Sequence, residues 1–112
     1  MDCLFCSIAT GDIPAKTVYE DELVMAFHDI APAAPVHILV IPKPHIPSAA
    51  VLTEKDAVLV GHIFAVIARL AKAQGLEEGF RVVSNVGALA GQSVPHLHFH
   101  LLSGRALAWP PG

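Results

Sequence analysis

The chain has 112 residues, of which 54% are hydrophobic and only 15% charged, so it can fill a core and is not a disordered segment. Its net charge of −3 argues against a protein that binds nucleic acid mainly through phosphates. No apolar run approaches the ~18 residues of a membrane-spanning helix, and the first six residues do not have the pattern of a secretory signal. We expect one cytoplasmic domain, residues 1–112, with no membrane or nucleic-acid partner.

Two further counts set the chain apart from an ordinary small domain. The apolar fraction is high for so short a chain, whose surface is large relative to its volume, so we expect a second copy to cover part of it. Histidine occurs seven times, as often as Lys and Arg together. Burying a histidine is costly unless its ring finds hydrogen-bond partners. Five nonetheless lie in or beside apolar runs, namely His28, His37, His96, His98 and His100.

The first half of the chain predicts a short helix and three strands. Residues 4–9 can form a helical turn that ends at Thr10-Gly11-Asp12, and Pro14 keeps the following segment out of a helix. Strands are predicted at 16–21, 23–30 and 36–41, where β-branched and aliphatic residues alternate or run together.

The second half predicts one long helix and two more strands. Thr53 is a good N-cap with Asp56 three residues on, as in a capping box, and Gly75 is a natural C′ residue. Apolar residues recur on one helical face at Leu59, Ile63, Val66, Ile67 and Leu70. Strands at 80–86 and 94–102 flank a loop at 87–91. The predicted fold is α+β, a five-stranded antiparallel sheet with one long helix and a short N-terminal helix.

Three histidines alternate with apolar residues in the last predicted strand. Because successive strand residues point to opposite faces, His96, His98 and His100 would line one face at about 6.6 Å spacing. The apolar residues between them would line the opposite, core-facing side. A solvated strand face or an adventitious metal patch is the alternative interpretation.

The loop before this strand contains two glycines and a serine, in Gly87-Ala88-Leu89-Ala90-Gly91-Gln92-Ser93. It lacks the lysine and the spacing of a nucleoside-triphosphate loop, and a strand follows it where that loop requires a helix. Its backbone N–H groups can still approach phosphate oxygens. Neutral imidazole is a good nucleophile toward phosphorus near pH 7, and neighbouring imidazoles can donate to the phosphate oxygens. Loop and strand therefore predict an anion site with imidazole chemistry.

The segments that carry a likeness to a known family are spread over the chain. Residues 96–102 match the histidine-triad signature His-φ-His-φ-His-φ-φ, in which φ is an apolar residue. Gly91-Gln92-Ser93-Val94, the ending Trp109-Pro110-Pro111-Gly112 and residues 13–16, 26–30 and 39–43 resemble the branch of histidine-triad nucleotide-binding proteins. The resemblance implies the histidine-triad fold and a homodimer with joined sheets. It also implies hydrolysis of purine nucleoside 5′-phosphoramidates through a nucleotidyl-histidine, releasing AMP or GMP and an amine.

The resemblance also implies roles for individual residues. His98 corresponds to the nucleophile, His100 would contact the phosphate, and His96 would orient the middle imidazole. Ser93 would bond near the leaving group, and His37 resembles a fourth histidine behind the triad.

The nucleotide-binding positions are likewise carried over from the resemblance. Asp29 would hold the ribose hydroxyls, although a turn or cap role is the alternative. Phe27, Ile30 and Ile13 would form apolar walls around the base, although ordinary core packing is the alternative. The remaining candidates are Asn85, Gly91, Gln92 and Val94 along the phosphate site, and Trp109 reaching toward the partner subunit's site.

Cys3-x-x-Cys6 could be a redox pair, half of a zinc site or two buried thiols. A thioredoxin-like interpretation fails because no βαβ pattern surrounds it. The resemblance implies a structural zinc held by Cys3, Cys6, His45 and His96, a suitable tetrahedral set, with no cofactor required for catalysis.

Two rival functions remain open beside the phosphoramidate hydrolase. One is a regulatory module that binds purine nucleotides with little turnover. The other is a relative that splits dinucleoside polyphosphates or acts as a nucleotidylyltransferase.

Overall fold

A computed structural model describes residues 3–112 of the chain. The helices are α1, Leu4–Ala9, and α2, Ala57–Ala73. The strands are β1, Thr17–Glu20; β2, Val24–His28; β3, Val36–Pro42; β4, Arg81–Val83; and β5, Phe99–Ser103. Single 3-10 turns lie at Ala49–Val51, Glu54–Asp56 and Ala88–Ala90. No helix among residues 3–112 is long and apolar enough to cross a membrane.

The five strands form one antiparallel sheet in the order β1-β2-β3-β5-β4. The predicted α+β fold is therefore confirmed. Strand β5 is inserted between β3 and β4, so β3, which carries His37, and β5, which carries His100, are neighbours. Their register places Leu39 opposite His100 and His37 opposite Leu102. This pairing brings His37 and His100 together from distant parts of the chain.

Helix α2 covers one face of the sheet. The capping box of Thr53 and Asp56 is present, but it caps the 3-10 turn Glu54–Asp56, and α2 itself begins three residues later than the cap predicts. Gly75 follows the helix with a φ of +71°, as expected for a C′ glycine. Buried side chains of α2 pack on alternate residues of β2, β3 and the triad segment, a cluster that includes Ile63, Val66, Ile67, Leu70, Val24, Ile38, Val40, Leu97, Phe99 and Leu101.

Helix α1 covers the opposite face and forms a second, smaller core. It buries Phe5 and Ile8 against Met25, Phe27, Leu39 and Ile41 of β2 and β3. Residues of β2 and β3 thus alternate between the α2 side and the α1 side, as the pleat of a strand requires. The histidines of the triad lie on the α1 side.

The two C-terminal strands are shorter than predicted. We expected strands at 80–86 and 94–102, and the structure has Arg81–Val83 and Phe99–Ser103. Before Phe99 the backbone leaves the β3–β5 ladder, because the N–H of His96 donates to Val94 and that of Leu97 donates to Ile46. His96 and His98 therefore precede the strand. Their chain stays extended enough to preserve the alternation, since Leu97 remains in the α2-side core.

Candidate active site

A cavity of about 280 Å³ opens on the α1 side of the sheet. Its walls come from α1, the segment after it, the end of β2 and the triad segment. Eight residues predicted from the sequence line it, namely Ile13, Phe27, Asp29, Ile30, Ser93, Val94, His98 and His100. The fold therefore gathers eight of the fourteen predicted catalytic and nucleotide-binding residues around one cavity.

The His98 ring is buried, and its hydrogen bond assigns its tautomer. Its Nδ1 lies 2.7 Å from the carbonyl oxygen of His96, and a carbonyl only accepts, so Nδ1 carries the proton. In the neutral ring the lone pair is then on Nε2. A neutral imidazole with a free Nε2 at a cavity wall is suited to nucleophilic attack.

His37 and His100 form a hydrogen-bonded pair, in which His100 lines the cavity and His37 lies behind it. The backbone N–H of Ala33 donates to Nδ1 of His37 across 2.9 Å, so the neutral His37 ring carries its proton on Nε2. That Nε2 lies 2.9 Å from Nδ1 of His100 and donates to it. The proton of His100 is then on Nε2. His100 can therefore donate a hydrogen bond while the lone pair of its Nδ1 is already engaged.

Burial disfavours the charged form of two of these histidines, His96 and His100. Desolvation lowers the pKa of His100, and repulsion from His98 and His37 lowers it further, with Asp29 acting in the opposite direction. Desolvation also lowers the pKa of His96, against the effect of its hydrogen bond to Pro42. Neutral rings are the forms that the tautomers above require.

Asp29 makes the predicted turn contact with one carboxylate oxygen and directs the other toward His37. One carboxylate oxygen accepts from the N–H of Ala31 at 2.8 Å, which is the turn role. The other oxygen lies 3.4 Å from Nε2 of His37. The residue lines the cavity and is only partly buried, so that second oxygen is positioned to accept from a ligand hydroxyl.

The three predicted apolar wall residues differ in burial. Phe27 is a core residue of the α1 side that also lines the cavity. Ile13 and Ile30 are exposed at its rim, and Ile30 is fully so. Their exposure excludes the core-packing alternative for Ile13 and Ile30.

Four of the predicted nucleotide-binding residues do not line the cavity: Asn85, Gly91, Gln92 and Trp109. The side chain of Gln92 is used by the chain itself. Its Oε1 accepts from the N–H of Gly87, and its Nε2 donates to the carbonyls of Pro47 and Val94. Gln92 therefore closes the 87–92 loop and ties it to the segment after β3, next to Ser93.

Trp109 is exposed in the C-terminal segment, and a residue that the sequence did not single out holds this segment in place. The guanidinium of Arg81 donates to the carbonyls of Leu107, Ala108 and Pro111.

A groove of about 860 Å³ lies on that side of the molecule. It contains no histidine, and the guanidinium groups of Arg81 and Arg105 there are bonded to backbone carbonyls.

The predicted metal ligands converge on one point. The ligand atoms of Cys3, Cys6, His45 and His96 all lie within 4.8 Å of one another. Nδ1 of His96 is 3.4 Å from Sγ of Cys3, and Nδ1 of His45 is 3.2 Å from Sγ of Cys6. A tetrahedral zinc ion separates its sulfur and nitrogen ligands by about 3.6 Å. Nε2 of His96 donates to the carbonyl of Pro42, which leaves the lone pair on Nδ1. Geometry and tautomer both fit a divalent metal.

A second group, Asp29, His37 and His100, is equally compact but does not fit a metal. A metal on Nε2 of His37 would require the proton on Nδ1. That position already faces the N–H of Ala33, and two donors cannot share it. The three side chains are therefore better suited to sharing the Nε2 proton of His37 than to binding a metal.

Phe5 is a site residue that the sequence did not reveal. Its ring lines the cavity and stands nearly perpendicular to that of His98, with the centroids 5.0 Å apart. In the sequence it is one apolar residue in a helical turn, a pattern typical of any core contact.

Comparisons with known proteins give matches over nearly the whole chain. The HIT domain family matches residues 10–107. An uncharacterised HIT-like protein of Synechococcus elongatus is 51% identical and aligns over 99% of this chain and 97% of its own. A HIT family hydrolase of Legionella pneumophila superposes with a TM-score of 0.97 at 49% identity, covering 99% of this chain and all of that one. A histidine triad nucleotide-binding protein of Candida albicans gives a TM-score of 0.83 at 33% identity, over 97% of this chain and 83% of that one. The chain belongs to the histidine-triad, or HIT, family.

Proposed function

We propose that this protein is a cytoplasmic hydrolase that cleaves the P–N bond of purine nucleoside 5′-phosphoramidates through a nucleotidyl-His98 intermediate. The observation that carries the proposal is the hydrogen bond from Nδ1 of His98 to the His96 carbonyl, because it leaves a lone pair on Nε2 of a cavity-lining imidazole. The hydrolase named in Legionella and the nucleotide-binding protein named in Candida support the same class of function.

The reaction would proceed in two displacements at phosphorus. Nε2 of His98 attacks the α-phosphorus, the P–N bond to the amine breaks, and the hydroxyl of Ser93 hydrogen-bonds near the departing nitrogen. Water then attacks the same phosphorus, and the bond to Nε2 breaks to release the nucleoside monophosphate. The proton that the departing nitrogen takes through the Ser93 hydroxyl in the first step would be replaced by the attacking water in the second, so over both steps one water supplies a hydroxyl to phosphorus and a proton to the amine.

His100 would stabilise the charge that develops on the phosphate oxygens. Its Nε2–H is the free donor of the His37–His100 pair, and it belongs to a ring that lines the cavity. A donor that is already oriented and partly desolvated costs no reorganisation in the transition state. His37 would act through His100 by keeping its proton on Nε2.

The nucleoside would occupy the apolar part of the cavity. The Asp29 oxygen that faces His37 is suited to a ribose hydroxyl, and Ile13, Phe27 and Ile30 are suited to the faces of a purine. Gln92 would serve the phosphate side indirectly, by shaping the loop that carries Gly91 and Ser93.

The cluster of Cys3, Cys6, His45 and His96 would hold a structural zinc ion. Two thiolates and two imidazoles are a closed tetrahedral shell, so the ion would contribute stability and take no part in the bond changes. His96 would then be fixed at Nδ1 by the metal and at Nε2 by Pro42.

The protein would act as a homodimer whose sheets join through β4. This strand is at the edge of the sheet, so one side of its backbone faces no strand among the described residues. Phe80 and Val86 on either side of it are exposed apolar residues. Sedimentation should show a dimer for the wild type and a monomer for Phe80→Glu.

The deciding experiment is turnover of adenosine 5′-phosphoramidate by the wild type and by His98→Ala. We expect turnover by the wild type only, and a nucleotidyl-protein adduct trapped by acid quench in the wild type only. Binding of AMP should stay within a small factor in the variant. Unchanged hydrolysis by His98→Ala would exclude the mechanism. Tight AMP binding by the wild type without an adduct would favour a regulatory module, and faster cleavage of a diadenosine polyphosphate would favour the polyphosphate hydrolase.

A further inference from the structure

Helix α1 lies between the Cys/His cluster and the His98 ring. Cys3, its N-cap, and Cys6, in its first turn, belong to the cluster, and Phe5 lies between them in the sequence. The Phe5 ring contacts the ring of His98 with centroids 5.0 Å apart at an interplanar angle of 88°. One side chain thus joins the metal-type cluster to the predicted nucleophile.

The position of α1 depends on tertiary contacts. The helix has six residues, whereas isolated helices shorter than ~12–15 residues are marginal in water. Its anchors are the burial of Phe5 and Ile8 and the approach of Cys3 and Cys6 to His45 and His96. Anything that binds the four cluster residues together therefore also fixes where Phe5 lies.

The His98 ring is held from three directions. Phe5 packs against it from α1, the His100 ring lies 5.0 Å away in β5, and the His96 carbonyl accepts from its Nδ1. Two of these three restraints lead back to the cluster, because His96 is itself a cluster residue and Phe5 is flanked by two others. The third restraint, from His100, is independent of the cluster.

We propose that Phe5 is a positioning residue that couples occupancy of the Cys3, Cys6, His45 and His96 cluster by a divalent metal to the orientation of the His98 imidazole. With zinc bound, α1 is held on the sheet and Phe5 keeps the ring in the orientation that directs Nε2 into the cavity. Without zinc, α1 loosens, Phe5 withdraws, and His98 gains freedom to rotate away from the His96 carbonyl. This inference rests on the proposed metal site and on His98 as the nucleophile.

The test compares zinc-loaded and metal-free protein in three forms: wild type, Phe5→Leu and Phe64→Leu. Phe64 is the matched control, because it makes a similar perpendicular contact with Phe99, at 5.3 Å and 69°, on the α2 side of the sheet. Nitrogen NMR of labelled histidine reads the tautomer and mobility of the His98 ring whether or not the protein is an enzyme. Single-turnover formation of the acid-trapped adduct gives the rate of attack, and metal analysis gives the zinc content.

We expect removal of zinc from the wild type to broaden the His98 ring signals and to slow adduct formation about tenfold. Zinc-loaded Phe5→Leu should show the same two changes with its zinc content unaltered, and stripping its zinc should add little, since coupled sites are not additive. Phe64→Leu should respond to zinc as the wild type does.

Three results would overturn the proposal: a wild type that binds no zinc, His98 signals that do not respond to zinc, or Phe5→Leu with the full zinc response of the wild type. The first would leave the hydrolysis mechanism untouched. If the wild type does not hydrolyse the phosphoramidate, the proposed function is excluded. The NMR comparison would still show whether zinc and Phe5 set the orientation of the His98 ring.

Discussion

His37 donates its Nε2 proton to Nδ1 of His100 across 2.9 Å, although the two residues are 63 positions apart in the chain. The direction of this bond is set by a third group, the N–H of Ala33, which occupies Nδ1 of His37. Because each neutral imidazole has one donor and one acceptor, this single backbone contact determines the proton positions of both rings. It leaves His100 as a donor on the side of the cavity.

Replacing His37 should therefore impair catalysis through His100. In His37→Ala the His100 ring loses its donor and can shift its proton to Nδ1, which turns its Nε2 into an acceptor. We expect kcat for adenosine 5′-phosphoramidate to fall about 10- to 100-fold, the equivalent of one lost buried hydrogen bond of about 1–3 kcal/mol. His37→Gln, whose amide can donate from a similar position, should keep most of the activity. Steady-state kinetics would check this. A kcat in His37→Ala that equals the wild-type value would contradict this role of His37.

Gln92 should matter for the stability of the loop more than for contact with the nucleotide. Gln92→Ala removes three hydrogen bonds, each worth about 1 kcal/mol, so the free energy of unfolding should fall by about 2–3 kcal/mol. Gln92→Glu should lower the free energy of unfolding by a similar amount, because its carboxylate cannot donate to the carbonyls of Pro47 and Val94 that it would face. Urea unfolding would measure both, and hydrogen exchange should show the Gly87 amide losing protection. A stable Gln92→Ala with weakened AMP binding would instead indicate a direct ligand.

Metal analysis tests the Cys/His cluster. Protein prepared without chelator should contain about one zinc ion per chain, and Cys6→Ser should lose it. Zinc at a hundred times its dissociation constant stabilises the folded state by about 2.7 kcal/mol, so chelation should lower the melting temperature measurably. Ala9→Ser, elsewhere on α1, is a control that should retain the metal. A melting temperature that is indifferent to chelator would argue that the cysteines are buried thiols.

Acid should destabilise the protein through His100. Burial and its histidine neighbours lower the pKa of this ring in the folded state, whereas an unfolded histidine titrates near about 6.5. On acidification the unfolded chain takes up this proton first, so the free energy of unfolding is at its full value above about pH 6.5. It decreases as the pH falls from there toward the lower pKa of the folded state.

The matched variant for this effect is His100→Asn, which cannot take up the proton. Urea unfolding at about pH 7.5 and at about pH 5.5 should show a smaller loss of stability in the variant than in the wild type. Equal losses would mean that other groups account for the acid sensitivity.

The local sequence pattern was sufficient to predict features that depend on a single helix or strand. The period of two in residues 96–102 predicted which side chains share a face, and Leu97, Phe99 and Leu101 do pack on the α2 side. The capping box and the apolar stripe of α2 followed from spacings within a few residues. The ends of the strands were less predictable from the sequence. A strand ends where its backbone groups bond outside the sheet, as the N–H of Leu97 does with the carbonyl of Ile46.

The chemistry of the site depends on contacts between distant parts of the chain. His96 takes its tautomer from Pro42, 54 residues away, and meets Cys3 across 93 residues. Phe5 looks like any core residue until α1 docks beside His98. The sequence by itself determined which residue types share a strand face or a helix face, since that follows from backbone periodicity. Only the tertiary structure decided which nitrogen of each histidine carries the proton, because that depends on the donor or acceptor that folding places opposite it.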